Sequence, residues 1–187
     1  RNILLTPEKS IEIQRDLGAD LILVFDECTP FNIEKSYTAN AMHRSHRWSI
    51  RSLNSFKSKK IYLPNQGAAG MQALYGIIQG GIFKDLRSES IDFNLNCKDF
   101  FGIAIGGSLG SSKKQMYEVV KHTALKLNDK RPVHLLGIGG QDDIWNMVKH
   151  GIDTFDCVSP TRLARHGSAL VRMRQNKINL NNLNYKN

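Results

Sequence analysis

The chain has 187 residues, 41% hydrophobic and 23% charged, ordinary values for a globular domain that exclude disordered and fibrous classes. No apolar run approaches the roughly 20 residues of a membrane span, and "LLTPEKSIEIQ" near the N-terminus carries no signal-peptide pattern. Twenty-six Lys and Arg against 17 Asp and Glu leave a net charge of +9, which suits a polyanionic partner such as nucleic acid and suits a generic basic surface as well.

In chain order, "TPEKSIEIQRDLG" (6–18) predicts a helix with a Thr cap, Pro7 at the first helical position, Glu8 in the first turn and a stop at Gly18. "LILVF" (21–25) is strand-length and apolar, and residues 33–57 read as one long amphipathic helix. "YGIIQ" (75–79), "FGIAI" (101–105), "HLLGI" (134–138) and "DTFDCV" (153–158) are further strands. None alternates cleanly with polar residues, so both faces are expected to be buried, as in a parallel sheet. Helical patterns separate them: "FKDLRSESIDFNLN", "SSKKQMYEVVKHTALKLN" and "QDDIWNMVKHG". The Asn-rich "QNKINLNNLNYKN" has no period, and residues 176–187 are expected to be a loose tail. Three scattered cysteines, Cys28, Cys97 and Cys157, without a CxxC pair, predict reduced thiols, a cytoplasmic protein and no metal site in this chain.

Alternating strands and helices predict an α/β fold with parallel strands. Polar or Gly-rich stretches end every strand: "DECTP", Gln79 with two glycines, "GGSLG", "GGQDD" and Asp156. In an open sheet, function gathers at one switch point; in a barrel, all strand ends converge on one mouth. The distribution favours a (β/α)8 TIM barrel. Five units cannot close eight strands, so residues 1–175 read as part of a single barrel catalytic domain, cut at both ends.

Locally, each motif keeps two readings. Asp26 is either a turn residue before Pro30 or an acceptor for the amino and imino edge of a purine; Glu27 faces away. Cys28 is expected to be a small buried residue lining the same mouth. Gln79 offers a donor and an acceptor to a base edge, or belongs to an ordinary Gln-Gly-Gly loop. "FGIAIGGSLGSS" lacks the Lys-Ser/Thr of a P-loop and the GxGxxG spacing, so Gly106 and Gly107 read as close-approach backbone offering amides to a planar ring. Asp142 and Asp143 are expected to cap the following helix. Asp156, at a strand end, is either the ion-pair partner of Arg162 or Arg165, or a nucleophile at a sugar carbon in a partly desolvated pocket. The cluster Arg162, Arg165, His166, Arg172, Arg174 and Lys177 would suit phosphates; the basic stretch from His43 to Lys60 reads as the solvated face of a helix with Trp48 and Phe56 turned inward. His122, His134 and His150 show no ligand spacing and receive no role.

Together, "LTPEKSIEIQRDLGADLI…FDECTP", "GIIQGG", "FGIAIGG", "LLGIGGQDD" and "GIDTFDCVSPTRLARHG" resemble the tRNA-guanine transglycosylases, also called queuine tRNA-ribosyltransferases, in order over roughly residues 2–170. The resemblance implies a (β/α)8 barrel, here its C-terminal-side segment without the zinc-binding subdomain. It implies a pentosyltransferase that exchanges guanine at the wobble position of tRNAs with a GUN anticodon through a covalent ribosyl–aspartate intermediate. By motif, Asp156 is then the catalytic nucleophile, and Asp26, Cys28, Gln79, Gly106 and Gly107 form the base pocket. Gly137, Ile138, Gly139, Gly140, Gln141, Asp142 and Asp143, with Thr161, Arg162, Leu163, Ala164 and Arg165, would contact RNA. "DECTP" resembles the bacterial form, which implies 7-aminomethyl-7-deazaguanine as the incoming 7-deazaguanine base. A cytoplasmic homodimer, with no membrane association, and a structural zinc in the full-length protein are further implications. The resemblance also implies a "DSGG" element, supplying the general base, and a CxCxxC-plus-His zinc site, neither of which occurs here; the chain is therefore expected to be a fragment, inactive by itself. Where the family reads "GGLAVGE", this chain has "GGSLGSS" (106–112), one residue shorter and without the Glu that would steady a peptide in the base pocket. The alternative is a non-catalytic tRNA-binding homologue of the same barrel; intact Asp26 and Asp156 speak against it.

Overall fold

In the computed structural model of the chain, Thr6 starts helix α1 (Pro7–Asp16), its hydroxyl accepting from the Lys9 backbone N–H at 3.2 Å. Residues 4–58, 72–128, 130–171 and 177–182 are described. Pro7 fits the first turn, where its missing N–H costs nothing, and Ile11 is buried as the helix's anchor to the core. The chain then reverses through Gly18, whose φ of +71° suits glycine, into β1 (Leu21–Leu23).

The remaining elements alternate as the sequence predicts: α2 (Lys35–Ser58), β2 (Ala73–Ile78), α3 (Lys84–Asn96), β3 (Gly102–Ile105), α4 (Lys113–Leu127), β4 (Val133–Leu135), α5 (Gln141–Val148) and β5 (Thr154–Phe155). All five strands pair in parallel in the order β1-β2-β3-β4-β5. That sequential order decides the architecture. Among the described residues the strand order nowhere reverses, so they form no switch point; this is a segment of a (β/α)8 barrel.

The central strands are buried on both faces, β3 completely, because helices cover the sheet. Ile77, Ile78, Ile103, Ile105 and Leu135 join Ile91, Val120 and Met147 from the helices in one apolar core. Each such side chain stabilises the fold by about 1.5–3 kcal/mol relative to exposure. Helix α2 pairs its basic face with carboxylates of its neighbours: Arg51 donates to both oxygens of Glu8, at 2.7 and 2.8 Å, His43 meets Glu89 at 2.6 Å and Lys57 meets Asp99 at 2.5 Å. Trp48 turns inward to stack on Phe25 at 5.0 Å, and Phe56 packs on the core under Arg15.

Two expectations for the C-terminal part are corrected. The strand expected over 153–158 is only Thr154–Phe155, with helix α6 (Ser159–Arg165) starting after three intervening residues, and Lys177–Asn179 is a strand, β7, antiparallel to β6 (Ser168–Leu170). Pairing with β6, in the register Ser168–Asn179 to Leu170–Lys177, orders "KIN" where the tail was expected to be loose. Arg172, Arg174, Lys60 and the tail beyond Asn182 lie outside the described residues.

Candidate active site

The five strands all run the same way, so their carboxyl ends present Asp26, Gln79, Gly106–Gly107, Gly137 and Asp156 in sheet order along one edge. Two hydrogen-bonded clusters form there. In the first, Gln79, buried at the end of β2, donates its Nε2–H to Asp26 Oδ2 at 2.6 Å. Burial raises the Asp26 pKa above the ordinary carboxylate value, opposed by its own backbone N–H and by the Gln79 amide. Gly107, with φ +75°, lets the β3 loop close over Gln79: a Cβ there would sit 2.6 Å from Gln79 Oε1. Gly106 departs from expectation, because its amide is spent on the Ile78 carbonyl, 3.0 Å away, in the sheet ladder. Cys28 is corrected as well. The residue is exposed rather than buried, on the loop that follows β1. Partial enclosure of the thiol, and then Asp26, push its pKa up against the Gly107 backbone N–H. Glu27 faces away, taking Tyr37 Oη at 2.8 Å and Arg44.

The second cluster surrounds Asp156. Its Oδ1 accepts from the Gly137 backbone N–H at 2.9 Å and meets His134 Nε2 at 3.1 Å; the other ring nitrogen, Nδ1, lies 2.8 Å from Thr154 Oγ1. No bond to Oδ2 is present among the described residues. The local ion-pair reading is thereby set aside: the partners are His134 on β4 and Gly137 just after it, and neither Arg162 nor Arg165 pairs with a carboxylate among the described residues. The expected desolvated pocket is corrected too, since the Asp156 side chain is 53% exposed.

The two segments assigned to RNA differ in availability. Gly137, Gly140, Gln141 and Asp142 are exposed, and Ile138 and Gly139 are half-buried. Gly139 is needed where it stands, because a Cβ would lie 2.5 Å from the Cβ of Cys157. Asp143 is not a cap: Gly140 occupies the N-cap of α5 with no side-chain cap bond, and Asp143 turns inward to Tyr117 Oη at 2.7 Å and Lys113 Nζ at 3.0 Å. Asp142 stays outside in the first turn, where its charge complements the helix N-terminus without capping it. On α6, Thr161, Arg162, Ala164 and Arg165 are exposed and Leu163 is half-buried.

The sequence profile described as queuine tRNA-ribosyltransferase matches residues 1–187. The chain belongs to the queuine tRNA-ribosyltransferase family. It is 50% identical over 177 residues to the queuine tRNA-ribosyltransferase of Roseiflexus sp. (strain RS-1), covering 94% of this chain and 44% of that protein. The queuine tRNA-ribosyltransferase of Natranaerobius thermophilus is 45% identical over 171 residues, covering 91% of this chain and 43% of its own length. A putative queuine tRNA-ribosyltransferase of Archaeoglobus fulgidus is 42% identical over 171 residues, 91% and 39% respectively. The chain thus spans less than half the length of these relatives.

Several supports of this candidate site carry no local sequence signal. Arg87 on α3 is 1% exposed and donates to the carbonyls of Gly81 (2.7 Å), Ile78 (3.3 Å) and Ser108 (3.4 Å), tying the β2 and β3 loops together. Three positions on, Ser90 Oγ accepts from the Gln79 backbone N–H at 3.0 Å and lies 2.9 Å from His46 Nε2. Gln115 on α4 accepts from the Ser111 N–H at 3.0 Å, so the loop that lacks the family's Glu is tethered from the helix instead. The i, i+3 spacing of Arg87 and Ser90 is a helix face, but a polar one, which reads as solvent-facing in sequence. As for zinc, no group of three or more His, Cys, Asp or Glu among the described residues is placed to hold a metal, so these residues do not fit such a site.

Proposed function

We propose that the complete gene product is a tRNA-guanine transglycosylase working through a covalent ribosyl–Asp156 intermediate. The observation that carries the reading is the asymmetric holding of Asp156: Oδ1 has two partners at 2.9 and 3.1 Å, which leaves Oδ2 as the free, directed oxygen. Its lone pair attacks C1′ of the wobble ribose, the bond from C1′ to the guanine N9 breaks, and the electron pair leaves with the base, which then takes up a proton. The incoming base, deprotonated at N9, attacks C1′ and releases the carboxylate. Half-exposure leaves the carboxylate open to a macromolecular substrate, and its fixed orientation favours attack at the sugar carbon.

Asp26 and Gln79 supply the acceptor and donor for a purine-like edge, with the Gly107 backbone closing one side. The exposed Arg162 and Arg165 on α6 grip the phosphates next to the wobble nucleotide. The finer assignment follows the resemblance: tRNAs with a GUN anticodon, 7-aminomethyl-7-deazaguanine as the incoming base, a homodimer in the cytoplasm, and a structural zinc held by residues other than those described. Three free thiols support a reducing compartment.

Asp156→Asn in the complete gene product is expected to abolish exchange of labelled guanine into tRNA and the denaturation-resistant protein–tRNA adduct. Exchange at the wild-type rate would overturn the reading. Binding of tRNA by wild type without exchange would establish the scaffold alternative instead.

A further inference from the structure

The sequence leaves His134 without a role, yet its side chain meets the nucleophile at hydrogen-bond distance, 3.1 Å. We propose that His134 and Thr154 form a positioning pair that fixes the imidazole tautomer and, through it, the attacking oxygen of Asp156. The inference rests on the transglycosylase reading for its kinetic consequence, while its geometric part stands by itself.

An ionised carboxylate can only accept hydrogen bonds, so the His134 nitrogen facing Asp156 Oδ1 at 3.1 Å, Nε2, carries the proton. Neutral imidazole has one N–H, so Nδ1 is then the acceptor, and the Thr154 hydroxyl 2.8 Å away is its donor. The order is Thr154 Oγ1–H to Nδ1, then Nε2–H to Oδ1. Strand register makes this arrangement: His134 on β4 stands directly opposite Thr154 on β5, and Asp156 lies two residues further along, on the same face as Thr154. The His134 side chain is only 18% exposed, so water does not readily replace either bond. Gly137 N–H and His134 Nε2–H together fix Oδ1 from two directions, which stops the carboxylate from rotating and presenting a mixture of its oxygens. His134 does not reach the substrate in this arrangement; it acts through Asp156.

Two measurements on the complete gene product test the pair. In nitrogen-15 spectra of the free protein at neutral pH, His134 is expected in the Nε2–H form, and Thr154→Val is expected to weaken that preference; a dominant Nδ1–H form in wild type would overturn the proposal whether or not the enzyme exchanges bases. In single-turnover experiments, His134→Leu is expected to slow formation of the covalent adduct on the order of 10²-fold, the effect of misplacing a reacting group by about 1 Å, with unchanged affinity for tRNA. Thr154→Ser should rescue what Thr154→Val loses. A wild-type rate of adduct formation in His134→Leu would overturn the proposal, as would a loss confined to tRNA affinity. Failure of wild type itself to form an adduct would reject the transglycosylase reading and the kinetic half with it, leaving the tautomer measurement to decide the geometric half.

Discussion

Gln79 and Asp26 meet at 2.6 Å across the first two strands, and that contact decides which atoms each has left for a ligand. With one Nε2–H of Gln79 joined to Oδ2, Asp26 keeps Oδ1 as an acceptor, and Gln79 keeps its second N–H and Oε1, beside the Gly107 backbone. Burial raises the Asp26 pKa, so the folded state holds a proton that the unfolded state has lost over the window from about 3.8 upwards. Stability therefore falls as pH rises through that window and is flat above it. Asp26→Asn keeps the acceptor for Gln79 and removes the buried charge. Its melting temperature is expected to exceed wild type at pH 7, by an amount on the order of 1–3 °C, with the gap closing near pH 4, while guanine exchange is lost. A wild-type level of exchange in this variant would remove Asp26 from the base pocket.

His46 lies behind the same strand end, stacked on Phe93 at 4.0 Å and facing Ser90. Burial, reinforced by His43, lowers its pKa to about 4. Between 4 and the ordinary 6.5 the unfolded state binds the extra proton, so stability is complete at neutral pH and is lost as pH falls through that window. The unfolding free energy from urea titrations is expected to fall, between pH 7 and pH 4.5, by about 2 kcal/mol more in wild type than in His46→Gln.

Arg87 is a buried cation satisfied by carbonyls, and burial lowers its pKa to about 10, which leaves it charged at neutral pH. Arg87→Met abandons three carbonyl oxygens at once and is expected to cost about 3 kcal/mol, close to 10 °C in melting temperature. Arg87→Lys should recover little, because one ammonium cannot reach acceptors arranged for a planar fork.

At Gly107, Ala would need a left-handed backbone and would press its Cβ on Gln79 Oε1. The strain of about 1–2 kcal/mol falls on the base pocket. KM for guanine is expected to rise roughly tenfold, with the affinity for tRNA unchanged.

Arg162 and Arg165 stand exposed on α6. Replacing either with Ala is expected to lower the slope of log affinity for tRNA against log salt by about one. An unchanged slope would move the phosphate contacts elsewhere.

Much of this arrangement is legible in the chain itself. Thr6, Pro7 and Gly18 mark α1 because caps and stops act over three or four residues, and the apolar runs ending in Gln79 and Gly106 mark strand ends because burial on both faces leaves no alternation, while Leu21 at the start of β1 and both residues of β5 are exposed or half-buried against that expectation. The family motifs reinforce the same positions. What was not legible concerns partners: Arg87 and Ser90 look solvent-facing in sequence because nothing local shows that carbonyls and an amide of the sheet wait opposite them.

The sequence by itself determined the alternation of elements, the parallel sheet and the residues at its carboxyl edge, since each depends on periods and caps of a few residues. Only the tertiary structure decided what those residues do to one another. Register brought His134 opposite Thr154 and so to Asp156, a relation spanning 22 positions. The fold also spent the Gly106 amide on Ile78, left Cys28 exposed and turned Asp143 inward to Tyr117. Hydrogen-bond partners and burial are fixed by approach in space, and approach across strands is invisible to any local pattern.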